Sequence, residues 1–395
     1  TLETARVELT MKNRTVRIAL AIAAVVPLTL AVSACAPPGQ AASGQASAGT
    51  GPIRIAVIDA QSGQASAFGD YEYKGAKLAF DAANAKGGID GRKVELTVYD
   101  TQGDPTTATN LARKAATDGA VAVIGPALSA PALAALPIFD QEKIPFITSA
   151  TSPKMAQTGS KFLFLNSPES TSFDATLAKY IDGKFSSIAL ISNNGAYGAG
   201  EHDAFLSDLK AMGVTPVADQ VITPDQKDFT SALTRIQQAH PQALFIGTED
   251  VQAGLIVKQA RQAGIHATII GAVGVSSANY VKTAGVDAAA GSIASTPYLG
   301  NDESAASQKF AQEYKAAYGQ DGQFFSAKAY DGAQILIQAL TSSHVATGAA
   351  LADAIRATSY TGLVGQFHFD ENGVGVHETK IGIMKNGALV PASEK

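Results

Sequence analysis

The residues of this chain best suited to chemistry are hydroxyls gathered in loops that follow short β-branched runs. Ser129 stands just before a stretch patterned as a helix, with Pro131 in its first turn. Its hydroxyl and the free backbone N–H groups at that helix start suit a carboxylate. Taken alone, Ser129 reads more simply as a helix cap, since serine is favoured at that position anywhere. Thr148-Ser149-Ala150-Thr151-Ser152-Pro153 adds further hydroxyls after the next apolar run, close enough in a parallel sheet to share one cleft. The loops Asp59 to Asp70 and Asn193 to Gly200 place Phe68 and Tyr197 among small residues. Convergence of these four segments points to a binding cleft for a small carboxylate.

Catalytic signatures are weak by comparison. The sequence has no G-x-S-x-G elbow, no H-E-x-x-H and no G-x-x-x-x-G-K-[ST] loop, so nucleophilic, zinc and P-loop nucleotide chemistry lack their usual frames. Gly198-Ala199-Gly200 begins a dinucleotide fingerprint, but Asp203 takes its third glycine position. Tyr73 and Lys77 have a dehydrogenase spacing with no glycine fingerprint after the first strand. The six histidines are scattered and form no metal-ligand pattern. No cofactor is expected, and an oxidoreductase is kept only as an alternative.

The elements that must position these loops alternate. Ile53 to Ile58 is a strand, followed by a helix whose Ala76, Ala79, Phe80 and Ala83 fall at helical spacing and which Gly87-Gly88 ends. Strands at 94–99, 121–124 and 145–148 alternate with helices at 105–117 and 130–141. A second series has strands at 188–192, 214–221, 243–246 and 268–271, with helices at 173–180, 201–212, 228–239 and one ending at Gln262. This rhythm predicts an α/β fold with two doubly wound parallel-sheet lobes. In open parallel sheets ligands bind beyond the carboxyl ends of the strands. A strand near Ser292, helices at 303–318, 325–340 and 349–357, and hairpin-like strands through Met384 complete the chain.

Length exceeds what one core usually organises, in keeping with two lobes. The net charge is −5 with no basic patch, which excludes a nucleic-acid partner. The amino terminus is different in kind. Lys12, Arg14 and Arg17 precede an apolar run from Ile18 to Val32, and small residues lead into Cys35, the one cysteine of the sequence. That pattern resembles a bacterial lipoprotein signal, so residues 1–34 are read as upstream residues plus signal peptide and Cys35 as the lipidation site. The run is shorter than the ~20 residues a bilayer span needs. Residues 35–51, rich in Ala, Gly, Pro and Ser, read as a flexible tether. The protein is therefore expected to be exported and anchored by Cys35 to the outer face of the cytoplasmic membrane or in the periplasm.

An ordered set of segments carries a family resemblance: Phe68-Gly69-Asp70 with Gly75-Ala76, Asn84-Ala85-Lys86-Gly87-Gly88-Ile89-Asp90-Gly91, Gly125 to Ser129, Ala150-Thr151-Ser152-Pro153, Tyr197-Gly198-Ala199-Gly200, Asp228-Phe229, and Ala263-Gly264. The chain resembles type I periplasmic binding proteins of ABC importers, in particular the branched-chain amino acid (leucine/isoleucine/valine) branch. The resemblance implies three crossovers, placed near Asn166, Thr296 and Phe369, with lobe 1 spanning 52–166 and 297–369 and lobe 2 spanning 167–296 and 370–395. It implies that Ser129, the Ser149 backbone with Ala150, and Thr151 hold a ligand α-carboxylate. Phe68 flanks the ligand side chain, Phe325 sits at the rim, and Tyr197 comes from the second lobe. Phe68 and Phe325 read equally well as core residues.

One position departs from that pattern. Where amino-acid binders carry an acidic partner for the ligand ammonium, this sequence has Val273, and Glu249 or Asp250 on a neighbouring second-lobe loop are candidates to replace it. The implied function is a monomeric extracytoplasmic solute-binding lipoprotein that closes on an amino acid and delivers it to a permease with separate ATPase subunits. A ligand-sensing receptor with the same cleft is the alternative.

Overall fold

The computed structural model describes residues 51–300 and 304–392; the basic-apolar leader, Cys35 and most of the tether lie outside the described residues. In chain order the first part runs β1 (Ile53–Asp59), α1 (Ser66–Ala85), β2 (Val94–Asp100), α2 (Pro105–Thr117), β3 (Ala122–Ile124), α3 (Ser129–Glu142), β4 (Phe146–Thr148) and β5 (Leu163–Leu165). The middle follows as α4 (Ser170–Ile181), β6 (Ile188–Asn193), α5 (Ala196–Ala211), β7 (Ala218–Ile222), α6 (Thr230–Gln238), β8 (Ala243–Gly247), α7 (Asp250–Gln262), β9 (Thr268–Gly271), α8 (Ala278–Ala284), α9 (Val286–Ala289) and β10 (Ile293–Thr296). Last come α10 (Ala305–Tyr318), α11 (Phe324–Ser342), α12 (Gly348–Arg356), β11 (Tyr360–Gly362), β12 (Gly365–Phe369), β13 (Gly375–Val376), β14 (Lys380–Lys385) and β15 (Ala388–Pro391).

The first lobe is built on a sheet of order β2-β1-β3-β4-β5 in which every neighbouring pair is parallel. Alternation along β1 shows why both faces are covered. Ile53, Ile55 and Val57 join one core with Ala76, Phe80 and Leu336, whereas Ala56 and Ile58 join another with Ala112, Leu136 and Phe139. A strand buried on both faces reads as a near-continuous apolar run, which is how β1 appears in the sequence apart from the exposed Arg54. The second sheet has order β15-β14-β10-β9-β8-β6-β7, parallel from β7 to β10, with β14 and β15 added antiparallel at one edge. β11, β12 and β13 form a small antiparallel sheet.

The chain passes between the two large sheets three times: after β5, after β10 and after β13. The last passage differs from the expected place near Phe369, because β13 still pairs with β12 and Val374 bridges Leu165 of the first sheet. Helix packing explains one glycine. A Cβ on Gly75 of α1 would stand 2.1 Å from the Ser326 carbonyl oxygen of α11, so these helices meet backbone to backbone only because position 75 has no side chain. That contact brings the start of α11 to the cleft.

Three local departures from the sequence reading matter. β5 and α8 carry too few residues for their periodicity to be legible. β7 begins at Ala218, not Val214: the Val214 N–H is spent on the Leu209 carbonyl at the end of α5, and Pro216 has no N–H to give a ladder. Helix α5 begins at Ala196, five residues before Glu201, because tertiary packing overrides the low helix propensity of its glycines. A Cβ on Gly198 would lie 2.3 Å from Asn193 Oδ1, and one on Gly200 would lie 2.9 Å from the Pro153 ring.

Candidate functional site

A cavity lies between the lobes. Its walls follow the carboxyl ends of six parallel strands. Phe68 comes after β1, Ala127, Leu128 and Ser129 after β3, and Ser149 and Thr151 after β4. From the second lobe, Tyr197 follows β6, Glu249 and Asp250 follow β8, and Val273 and Gly274 follow β9; Phe325 enters from the first turn of α11. Seven of the eight residues expected at the site therefore meet in one place. Ala150 is the exception: its N–H is bonded to Thr148 Oγ1 at 3.0 Å and its methyl joins the first-lobe core.

The lobes are closed on each other. Phe68, Ala127, Phe324 and Phe325 pack with Phe173, Ala272 and Val273 in a single apolar cluster that spans the cleft. Phe68 and Phe325 meet edge to face, centroids 4.6 Å apart, so each is both cavity wall and core. Across the mouth, the Ala278 N–H donates to Gln323 Oε1 at 3.1 Å.

That geometry suits recognition without reaction, and comparison with known proteins agrees with it. A family model described as periplasmic binding protein matches residues 52–388. The chain belongs to that family. The Leu/Ile/Val-binding protein of Escherichia coli K12 is 30% identical over 81% of this chain and 87% of its own length. The Leu/Ile/Val-binding protein BraC3 of Rhizobium johnstonii is 31% identical over 72% of this chain and 77% of its own length. Among solved structures, the branched-chain amino acid transporter substrate binding protein LivJ of Streptococcus pneumoniae, in complex with isoleucine, superposes with a TM-score of 0.81 at 27% identity, covering 86% of this chain and 97% of that one. The protein is a solute-binding protein of transport and not an enzyme.

Within this periplasmic binding protein the hydroxyls are arranged as acceptors and donors in waiting. Ser129 is the first residue of α3, and its side chain does not cap the helix. The hydroxyl instead accepts a long 3.4 Å contact from the Ser152 N–H. Ser149 Oγ is buried facing the Glu72 carboxyl, with no close hydrogen bond to the protein. Thr151 Oγ1 accepts from Ser170 at 3.4 Å. Buried hydroxyls held only by long contacts keep hydrogen-bonding capacity that a ligand can use.

Charge on the wall is negative. Asn193 Nδ2 donates to Glu249 Oε2 at 2.6 Å and to Gln252 Oε1 at 2.8 Å, which fixes the Glu249 carboxyl. Burial pushes Glu249 above the ordinary carboxylate range, with the Asn193 bond opposing. Asp250 is pushed up to about 6, mainly by burial. Its oxygens are already engaged, Oδ2 by Ser277 Oγ at 2.7 Å and Oδ1 by the Val251 N–H at 2.7 Å. Tyr197 OH accepts the Gly274 N–H at 3.2 Å, and burial followed by Glu201 and Asp174 holds the phenol protonated. A Cβ on Gly274 would stand 2.0 Å from the Thr248 carbonyl oxygen, so only glycine fits this wall.

Behind the first-lobe wall sits a second acidic pair. Asp59 accepts from the Ala60 and Ala127 N–H groups at 2.8 and 3.1 Å. Burial raises it to about 6, and burial together with the Asp59 charge raises Glu72 further, so Glu72 is the member that keeps its proton. The sequence reading did not single out Asp59 and Glu72. The signal lay in an acidic residue closing an otherwise apolar β1, which alone does not disclose a partner on α1.

Proposed function

We propose that this binding protein captures a zwitterionic amino acid of the branched-chain type and surrenders it unchanged to a membrane permease. One observation carries the reading: a cavity between the lobes whose wall joins three hydroxyls, an aromatic and aliphatic face, and two carboxylates, with no Lys, Arg or His in the lining. A plain carboxylate would meet Glu249 and Asp250 with no compensating cation, whereas an α-amino acid brings its own. Ser129, Ser149 and Thr151 hold its carboxylate, Glu249 its ammonium, and Phe68, Leu128, Val273 and Phe325 its side chain. Glu249 is assigned in preference to Asp250 because Asp250 is spent on Ser277 and the start of α7.

Contacts from both lobes favour the closed form only as far as they are lost on opening, so closure is the event a permease reads. Among the described residues we take the lobes as 52–166 with 297–300 and 304–376, and 167–296 with 377–392; the pairing of β13 with β12 supports a third boundary beyond Phe369. The mature protein begins at lipidated Cys35 and works as a monomer. A thermal-shift and calorimetric screen of amino acids beside their deaminated keto and hydroxy analogues tests the ligand class. At a hundredfold excess over Kd the cognate solute stabilises by about 2.7 kcal/mol. Preference for the deaminated compounds would overturn the ammonium assignment, and turnover of any solute would overturn the function.

A further inference from the structure

Lys328 of α11 is fully buried, 0% exposed, an uncommon place for a lysine. Its ammonium donates to His377 Nε2 at 3.0 Å and lies 5.3 Å from the centre of the Phe367 ring. His377 Nδ1 stands 2.9 Å from the Glu378 carbonyl oxygen, a contact that requires the proton on Nδ1 and leaves the Nε2 lone pair for Lys328. The acid one turn further along the helix, Asp331, is occupied by Tyr360 OH and the Leu363 N–H.

Placement gives this contact meaning. His377 lies in the chain passage between β13 and β14, the third crossover. The Lys328 carbonyl accepts from Asn166 Nδ2 at 2.7 Å, and Asn166 directly follows β5 at the start of the first crossover. Three residues before Lys328 on the same helix, Phe325 lines the solute cavity. We propose that Lys328 is a positioning residue for closure, tying the first crossover through Asn166 and the third through His377 to the helix that touches the solute. The inference rests on the hinge-closure reading above and adds the residue through which the hinge is set.

Electrostatics gives the tie a pH dependence. Burial lowers Lys328 to about 7, with Asp331 opposing. His377 is held neutral by burial and then by Lys328, with Lys380 of β14 adding to the effect. Tyr360 faces Asp331 and stays protonated. Glu169, which shares a surface pocket with His377, is raised to about 7 by burial and then by Asp370, so its own pH effect on closure lies below about 7, outside the lysine's window. If opening turns the third crossover and admits water, Lys328 regains basicity, so the closed form binds fewer protons than the open one. Closure is then favoured as pH rises above about 7, and the gain ends where the open-form lysine also loses its proton.

The test compares the full chain with Lys328→Met, which keeps length and apolar bulk, and His377→Gln, which keeps an acceptor. Three readouts are used: small-angle scattering of the solute-free protein across pH, imidazole nitrogen NMR of His377, and L-leucine affinity across pH. In the unaltered protein, compaction and leucine affinity increase above about pH 7, affinity by at most about tenfold per pH unit for one proton. Lys328→Met abolishes that component and shifts the His377 Nε2 resonance, while His377→Gln retains part of it. Scattering and pH profiles of Lys328→Met that superpose on the unaltered protein would overturn the proposal. If leucine fails to bind the unaltered protein, the solute assignment falls, and scattering with nitrogen NMR still decides the role of Lys328.

Discussion

Replacing Glu249 by Gln separates charge from shape at the proposed ammonium site. The amide has nearly the same volume, and its carbonyl oxygen can still accept the Asn193 bond now made at 2.6 Å, so the cavity wall keeps its form. What disappears is a carboxylate facing an ammonium in a closed cleft. Removing one partner of such a pair costs about 2 to 5 kcal/mol, because the other charge is left desolvated. Asp250 on the same wall remains and offsets part of that loss, which places the expectation at about 2 to 3 kcal/mol, or roughly 30- to 150-fold. Titration calorimetry with L-leucine and with its keto analogue provides the comparison, and the keto analogue should bind Glu249→Gln as well as or better than the parent. The pH dependence has a definite sign. Glu249 is raised in the solute-free protein and an ammonium lowers it, so binding releases a proton and leucine affinity falls as pH falls through the raised range. Equal loss for both compounds in Glu249→Gln, or leucine affinity independent of acidification, would refute the assignment.

Ser129→Ala should weaken a carboxylate solute by about 1.5 to 3 kcal/mol through loss of a charge-assisted hydrogen bond. The melting temperature of the solute-free protein should change only modestly, since this hydroxyl caps no helix and takes only a long contact from the Ser152 N–H; a large drop would make Ser129 structural. Gln323→Ser keeps a favoured cap for α11 but cannot reach the Ala278 N–H, so solute dissociation measured by stopped flow should accelerate with about 0.5 to 1.5 kcal/mol lost in affinity. Gly75→Ala forces a methyl against the Ser326 carbonyl and should cost about 1 to 3 kcal/mol in a denaturant titration; an unchanged midpoint would contradict the α1–α11 packing. Cys35→Ser should release the protein from the membrane fraction of cells that express it, and continued sedimentation with membranes would count against the lipid anchor.

Much of the site was legible because a parallel sheet sends the loops after its strands to one edge. Once β1, β3, β4, β6 and β8 are recognised as apolar runs, Phe68, Ser129, Ser149, Thr151, Tyr197 and Glu249 must gather at that edge. Less legible were elements whose identity rests on distant partners. β5 has three residues and owes its form to Phe146, Ile147 and Thr148, with which it pairs. The close packing at the start of α5 sets Gly200 against Pro153, a contact that nothing near Gly200 in the chain announces. Ala150, which the resemblance placed beside the Ser149 backbone, lies outside the cavity lining because Thr148 Oγ1 takes its N–H, a bond that residue type alone does not announce.

Local sequence thus determined the α/β class, the two-lobed plan and the hydroxyl-lined edge, because each follows from periodicity or from residue type alone, while the family resemblance marked Val273 as standing where an acid is usual. Tertiary structure decided which carboxylate stays free for a solute, which hydroxyls are held only by long contacts, and where a buried lysine finds its histidine. Those outcomes depend on distances between groups far apart in the chain, and a hydrogen bond is made or missed over less than about 1 Å.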